Sequence, residues 1–248
     1  MSNIDEIRAK ADELLNQNKY SCALPLYEQA AEMGDLYSAA RAATLNVINA
    51  KFYIEGFQDF SEAERYSEQA LQWYNTFKDV NSFTLAMFFD DSGFLRELGY
   101  CYYRLALEHR GEEKEGDLLY QCFSLLSEVV DSSEEHPDTQ GLWALTVQRM
   151  LDLDWDISTE AINRKNELFS ELISTKKEAL CACENYDPIL SKIYIDYGFV
   201  LLDGAEIAAD HTKAYYCFKS ALEMGMQSVE RILSKFAETA PGKYTFVG

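Results

Sequence analysis

Proline and glycine are scarce in this 248-residue chain, at four and twelve. So few turn-forming residues argue against an all-β architecture, while 48% apolar content argues against disorder. Histidine is scarcer still: the three, His109, His136 and His211, stand far apart in polar surroundings. Neither a histidine-based metal site nor a nucleophile–histidine triad is expected from them. Cations are outnumbered, with 22 Lys and Arg against 42 Asp and Glu and a net charge of -20. The longest basic runs are the pairs Arg164-Lys165 and Lys176-Lys177, both set among glutamates. A chain so acidic repels phosphate backbones and anionic membranes, so neither is expected as a partner. No apolar run approaches the ~18 residues of a membrane span. The amino-terminal Met1-Ser2-Asn3-Ile4-Asp5-Glu6 has no basic or apolar region of a signal peptide. A soluble cytoplasmic protein is the expectation.

What chemistry the residues could carry is limited. Six cysteines at 22, 101, 122, 181, 183 and 217 lie mostly beside aromatic or aliphatic residues, which suits buried free thiols in a reducing compartment. Cys181 and Cys183 are two apart, a spacing that faces opposite sides of a helix. Asp152, Asp154 and Asp156 open like a calcium loop, but Ile157 and Asn163 stand where its glycine and closing glutamate belong. There is no Gly-x-Ser-x-Gly and no glycine loop to cradle phosphate. No catalytic residue, metal or cofactor is expected.

Helical periodicity is what the sequence has in abundance. Apolar positions at helical spacing run from Ile4 to Leu15, Ser21 to Met33 and Leu36 to Ala50. The spacing Asp59-x2-Glu62 reads as a capping box opening a helix to about Phe77. Further helices are expected near 82–108, 116–131, 140–151, 158–184, 188–203, 211–224 and 227–239, ten or eleven in all. Leu151 to Asp156 alternates but lacks a partner strand, so it reads as an extended linker before a helix capped by Asp156 or Ser158. Residues 131–138 read as a polar surface crossing. Tyr244 to Val247 could fold back on a terminal face.

The chain also repeats itself. Residues 23–34 (ALPLYEQAAEMG) and 214–225 (AYYCFKSALEMG) align without gaps. Small–x3–aromatic–x2–small positions recur as Ala23, Tyr27, Ala30 and Ala214, Phe218, Ala221, then more weakly as Ala63, Ser67, Ala70 and Leu119, Phe123, Leu126. Such positions share one helix face, where small residues admit a neighbouring helix and the aromatic fills the space beside them. Tyr102, Tyr216 and Phe218 are expected in the core, and Trp73 against the next unit.

Ahead of each such helix stands a first helix with a small contact residue: Ala11, Ala50, Gly99 or Gly198. Tyr197-Gly198-Phe199-Val200-Leu201-Leu202-Asp203-Gly204, with Asp210, Lys213-Ala214, Ala221 and Gly225, carries a family resemblance. The chain resembles a Sel1-like repeat protein of the tetratricopeptide superfamily. Arg8–Asp35, Asn49–Trp73 and Leu95–Val129 look like further units, and residues 132–190 depart from the pattern.

The resemblance implies one all-α domain over 1–248, a right-handed superhelix of antiparallel helix pairs with an irregular segment at 132–190. It also implies a concave face built from the first helices, at positions -3, +1 and +4 from each contact residue. These include Arg8 and Asp12 around Ala11, and Lys51 and Ile54 around Ala50. Around Gly99 they are Arg96, Tyr100 and Tyr103; around Gly198 they are Ile195, Phe199 and Leu202, of which Phe199 is the candidate binding residue. Arg8, Lys51 and Arg96 among aromatics suit an acidic or carboxylate-ended peptide. The expected function is therefore non-catalytic binding of a protein or peptide, with the oligomeric state left open. Two alternatives compete. One is an acidic inhibitor or immunity-type protein capping a basic partner such as a nuclease, suggested by ten acids against two bases between Glu108 and Asp138. The other is a structural protein that self-associates through its ends.

Overall fold

The computed structural model describes residues 3–80, 89–131, 137–174 and 186–248. Cys181, Cys183 and His136 lie outside them. Among the described residues the chain is almost entirely helical, and its helices gather into two compact units, Met1–Val129 and Val130–Gly248.

The first unit holds α1 (Asn3–Asn16), α2 (Tyr20–Glu32), α3 (Leu36–Phe52), α4 (Phe60–Phe77), α5 (Asp91–Glu108) and α6 (Glu113–Ser127). A π-helical turn, Tyr53–Phe57, extends α3. Each helix packs antiparallel-hairpin fashion on its successor, as α1 on α2, α3 on α4 and α5 on α6. The hairpins join through α2 with α3, α4 with α5, and the two first helices α3 with α5. Aspartates start several helices: Asp35, Asp59 and Asp90 accept from the backbone N–H three residues on.

The repeated pattern is the packing seam. Ala23, Tyr27, Ala30, Ala63, Ser67 and Ala70 are buried, as are Leu119 and Leu126. Gly99 lies so close to Leu126 that a Cβ there would meet its Cδ2 at 2.5 Å. The Ala11–Ala23–Tyr27–Leu45 core of α1–α3 takes Trp73 against its side.

The second unit holds α7 (Pro137–Asp152), α8 (Thr159–Ser174), α9 (Tyr186–Asp203), α10 (His211–Glu223) and the single turn α11 (Glu230–Leu233), preceded by a 3-10 turn, Gln227–Val229. Here α7 packs on α8, α9 on α10, and α9 on both α7 and α8. The same order of contacts thus continues through the part whose sequence departs from the repeat. A Cβ at Gly198 would lie 2.9 Å from the Phe218 ring, and one at Gly141 2.8 Å from Ile193. The extended linker expected over 151–156 is shorter: Leu151 and Asp152 finish α7, Leu153 and Asp154 form a turn with Asp154 at φ 58°, and residues 155–158 lead into α8, which Ser158 caps through the Ala161 N–H.

The two Glu-Met-Gly endings close α2 and α10 identically. Gly34 and Gly225 adopt φ of 94° and 91°, and the next N–H reaches back to Ala30 and Ala221. Glycine is favoured there because a Cβ would strain that left-handed backbone.

The carboxyl-terminal region corrects the expected helix over 227–239. Residues Phe236–Ala240 form β1 and pair antiparallel with β2, Lys243–Phe246, across a Pro241-Gly242 turn. Pro241 and Gly242, the latter at φ 70°, form a turn that a helix could not carry. Strand β2 folds back onto α10, where Thr212 bonds the Tyr244 backbone and the Tyr215 and Tyr244 rings stack at 3.6 Å. Tyr216, expected in the core, is instead exposed at the edge of this contact. Cys101, Cys122 and Cys217 are buried free thiols, with burial pushing Cys217 up to about 12; Cys22 is exposed. No helix among the described residues is long and apolar enough to cross a membrane.

Candidate functional site

The first helices of unit one, α1, α3 and α5, carry most of the residues singled out by sequence. Arg8 and Asp12 stand one turn apart on α1. Arg8 pairs with Asp5 at 3.2 Å and with Asp35 at 3.4 Å. Asp12 accepts from the Tyr27 hydroxyl at 2.6 Å and the Tyr37 hydroxyl at 3.2 Å. Burial, reinforced by that carboxylate, pushes the Tyr27 phenol far above its ordinary value, so it is a permanent donor.

On α3, Lys51 meets Glu97 of α5 at 2.5 Å and lies 5.8 Å from the Tyr100 ring centre. Burial pulls the Lys51 pKa down, but the bond and charge of Glu97 outweigh it and hold it above its ordinary value. Burial also raises Tyr100, partly opposed by Arg104, which donates to its hydroxyl at 2.9 Å. The structure therefore brings Lys51 and Tyr100 together. Phe199 belongs to unit two, where it is exposed and packs edge-on against Phe218.

Two of the chosen residues turn inward. Ile54 and Tyr103, both at +4 from their contact residue, are buried. The reason is helical geometry: +4 lies about 40° from the contact direction, whereas +1 lies about 100° from it. Asp12, Lys51, Tyr100 and Phe199, all at +1, accordingly keep to the surface or its margin. Position -3 lies about 60° away, where Val47 is buried but long arginines at 8 and 96 reach outward.

The cations that matter most were missed by sequence. Arg41 donates to the Tyr37 hydroxyl at 3.0 Å with its guanidinium 5.1 Å from that ring. Arg104 repeats this on Tyr100, at 5.8 Å from the ring. Both are a Tyr-x3-Arg pair on a first helix, and that recurrence was available in the sequence. Among the described residues, Arg41, Arg96 and Arg104 have no carboxylate partner, whereas Arg8 and Lys51 are already neutralised. Beside them, Ile48 and Phe52 are exposed on the same stripe of α3 as Tyr37 and Arg41. Phe57 joins Phe52 edge-to-face at 4.9 Å. The arrangement offers guanidinium donors for carboxylates beside an apolar anchor.

Unit two contains a second polar cluster, built around a buried lysine. Lys165 of α8, wholly buried, donates to Glu206 at 2.5 Å and Gln148 at 2.7 Å. Burial lowers its pKa despite Glu206. Asn166 also donates to Glu206, so the cluster ties α7, α8 and the loop after α9 together. It is a structural tie.

No family model matches the chain, and no curated protein matches it.

Proposed function

We propose that this chain is a non-catalytic helical-repeat protein of the Sel1-like kind, its hairpins wound as a right-handed superhelix and working in the cytoplasm. It binds a protein or peptide along α1, α3 and α5. The order of hairpin contacts and the glycine seams at 99 and 198 support the repeat reading. One observation carries the binding reading: among the described residues Arg41, Arg96 and Arg104 lack carboxylate partners in an acidic chain, and Ile48 and Phe52 are exposed on the helix that carries Arg41. Guanidiniums held on tyrosine hydroxyls are pre-organised and lose little freedom on binding, so an acidic segment with an apolar anchor is the fitting ligand.

Pull-down from native lysate with mass spectrometry tests this, comparing wild type with Arg41→Glu plus Arg104→Glu. Loss of a partner by the variant, with helicity and Tm unchanged, is the expected result. A partner held equally by both proteins overturns the reading, as does a wild type that retains nothing.

A further inference from the structure

In unit two, α8, α9 and α10 converge on a lysine that ends on hydroxyls instead of a carboxylate. The Lys213 ammonium of α10 donates to the Tyr197 hydroxyl of α9 at 3.1 Å and to the Ser170 hydroxyl of α8 at 3.3 Å. It lies 4.9 Å from the centre of the Tyr197 ring. Its side chain has no carboxylate partner among the described residues. Asp210, three residues earlier, instead caps the helix through the Lys213 backbone N–H at 2.8 Å.

The hydrogens of this cluster outnumber its acceptors. An ammonium has three donors and no acceptor, so its two bonds leave Lys213 one N–H unused. Each hydroxyl oxygen accepts from Lys213 and still carries a hydrogen that the lysine cannot take. Among the described residues neither Ser170 nor Tyr197 donates that hydrogen to any acceptor. Three spare donors and one positive charge are thus gathered at a single nitrogen, with both oxygens within 3.3 Å of it. Tyr197 is only 4% exposed, which leaves little room for bulk water, whereas Lys213 and Ser170 are half-buried and reachable from outside. Buried donors are nearly always paired, so the group that completes this cluster is one that only accepts.

We propose that Lys213, Ser170 and Tyr197 form a binding site for a carboxylate group. An ionised carboxylate is acceptor-only, and its two oxygens have lone pairs enough for all three hydrogens. Its bond to the ammonium joins two opposite charges, the strong kind of hydrogen bond. A single negative charge suits the site better than the double charge of phosphate. One ammonium is all the site supplies, Asp210 stands at the start of the same helix, and the chain carries a net charge of -20. The group comes from a free small acid or from an acidic side chain of a partner, and the test separates the two. The site lies wholly in unit two and does not rest on the α1–α3–α5 reading.

The test is an NMR titration of the full chain, isotope-labelled at the tyrosine Cζ and lysine Cε carbons. Sodium acetate replaces sodium chloride at constant ionic strength, and Tyr197→Phe and Lys213→Gln assign the two signals. Saturable shifts of both are expected in the wild type. Ser170→Ala removes one neutral donor and weakens acetate binding about two- to tenfold. Lys213→Gln, read on the Tyr197 signal, weakens it at least about tenfold because a charged donor is lost. Lys219→Gln, exposed on the same helix, leaves it unchanged.

Thermal scans separate binding from folding. A tie that only holds the helices together predicts that Ser170→Ala and Tyr197→Phe lower Tm equally in acetate and in chloride, and that result overturns the proposal. A site predicts a higher wild-type Tm in acetate than in chloride, and a smaller difference in each variant whatever its own Tm. A capped Ser-Ala-Glu-Ala-Ser peptide identifies the source. Shifting the same signals at a lower concentration than acetate assigns the group to a partner's side chain; weaker binding than acetate assigns it to a free acid. Three further results overturn the proposal: no saturable shift with acetate, an equal loss in Lys219→Gln, or inorganic phosphate binding more tightly than acetate.

Discussion

Asp196 on α9 has only 11% of its side chain exposed and bonds to Lys192 one turn before it. Burial raises its pKa above the ordinary carboxylate value, with Lys192 opposing but not cancelling the effect. The native state therefore holds a proton at pH values where the unfolded chain has lost it, so stability falls as pH rises through that window. Above the native pKa the penalty stays constant. Asp196→Asn removes it: the variant melts about 2 °C or more above wild type at pH 7, and the gain shrinks to nothing below the carboxylate range. Thermal scans from pH 3 to 8 check this. At this scale the sequence was least legible. Arg8 and Lys51 stood out as cations, but whether each is spent depends on Asp35 and Glu97, distant in sequence and reached only through folding. Arg41 and Arg104 keep tyrosine partners on their own helices, which is why their spacing alone would have revealed them.

Among elements, the seams between paired helices decide stability. Gly99→Ala and Gly198→Ala each gain about 1 kcal/mol of helix propensity. Against that, the new methyl would sit 2.5 Å from Leu126 in one case and 2.9 Å from Phe218 in the other. Overpacking of this kind costs about 1–3 kcal/mol, so both variants are destabilised or at best neutral. Gly56→Ala in the π-helical turn meets nothing closer than 3.8 Å and is neutral or stabilising. Urea unfolding of the three variants, read at constant m-value, ranks them. These seams were legible because small–aromatic–small spacing is a local property of one helix. The carboxyl-terminal strands were not, because Phe236 to Ala240 fits a helical spacing as well as an alternating one. Only the Pro241-Gly242 turn and the fold-back of Tyr244 onto Tyr215 separate the two.

For the whole chain, a net charge of -20 sets the response to salt. Like charges spread over a folded surface repel, and screening reduces that repulsion. The salt bridges are mostly exposed pairs such as Arg65–Glu62, each worth little. Tm is therefore expected to rise between 10 and 500 mM NaCl, by about 2–4 °C for each kcal/mol of repulsion relieved. A fall in Tm over that range would show that the ion pairs outweigh the self-repulsion. Composition alone made this property legible, whereas the division into units Met1–Val129 and Val130–Gly248 follows from contacts between helices and has no marker in composition.

Lys165 and Glu206 bear on how the sequence itself can change. The buried Lys165 charge is tolerable inside the unit because Glu206, 41 residues away on a partly open loop, neutralises it. Replacing Lys165 alone leaves Glu206 able to turn to solvent, whereas replacing Glu206 alone strands a buried ammonium with Gln148 as its remaining hydrogen-bond partner among the described residues. Losing Glu206 first costs about 3–5 kcal/mol, although an apolar pair of the same volume would cost little or nothing. A lineage carrying this pair can thus give up the lysine first but not the glutamate, so the order in which the two positions change is constrained.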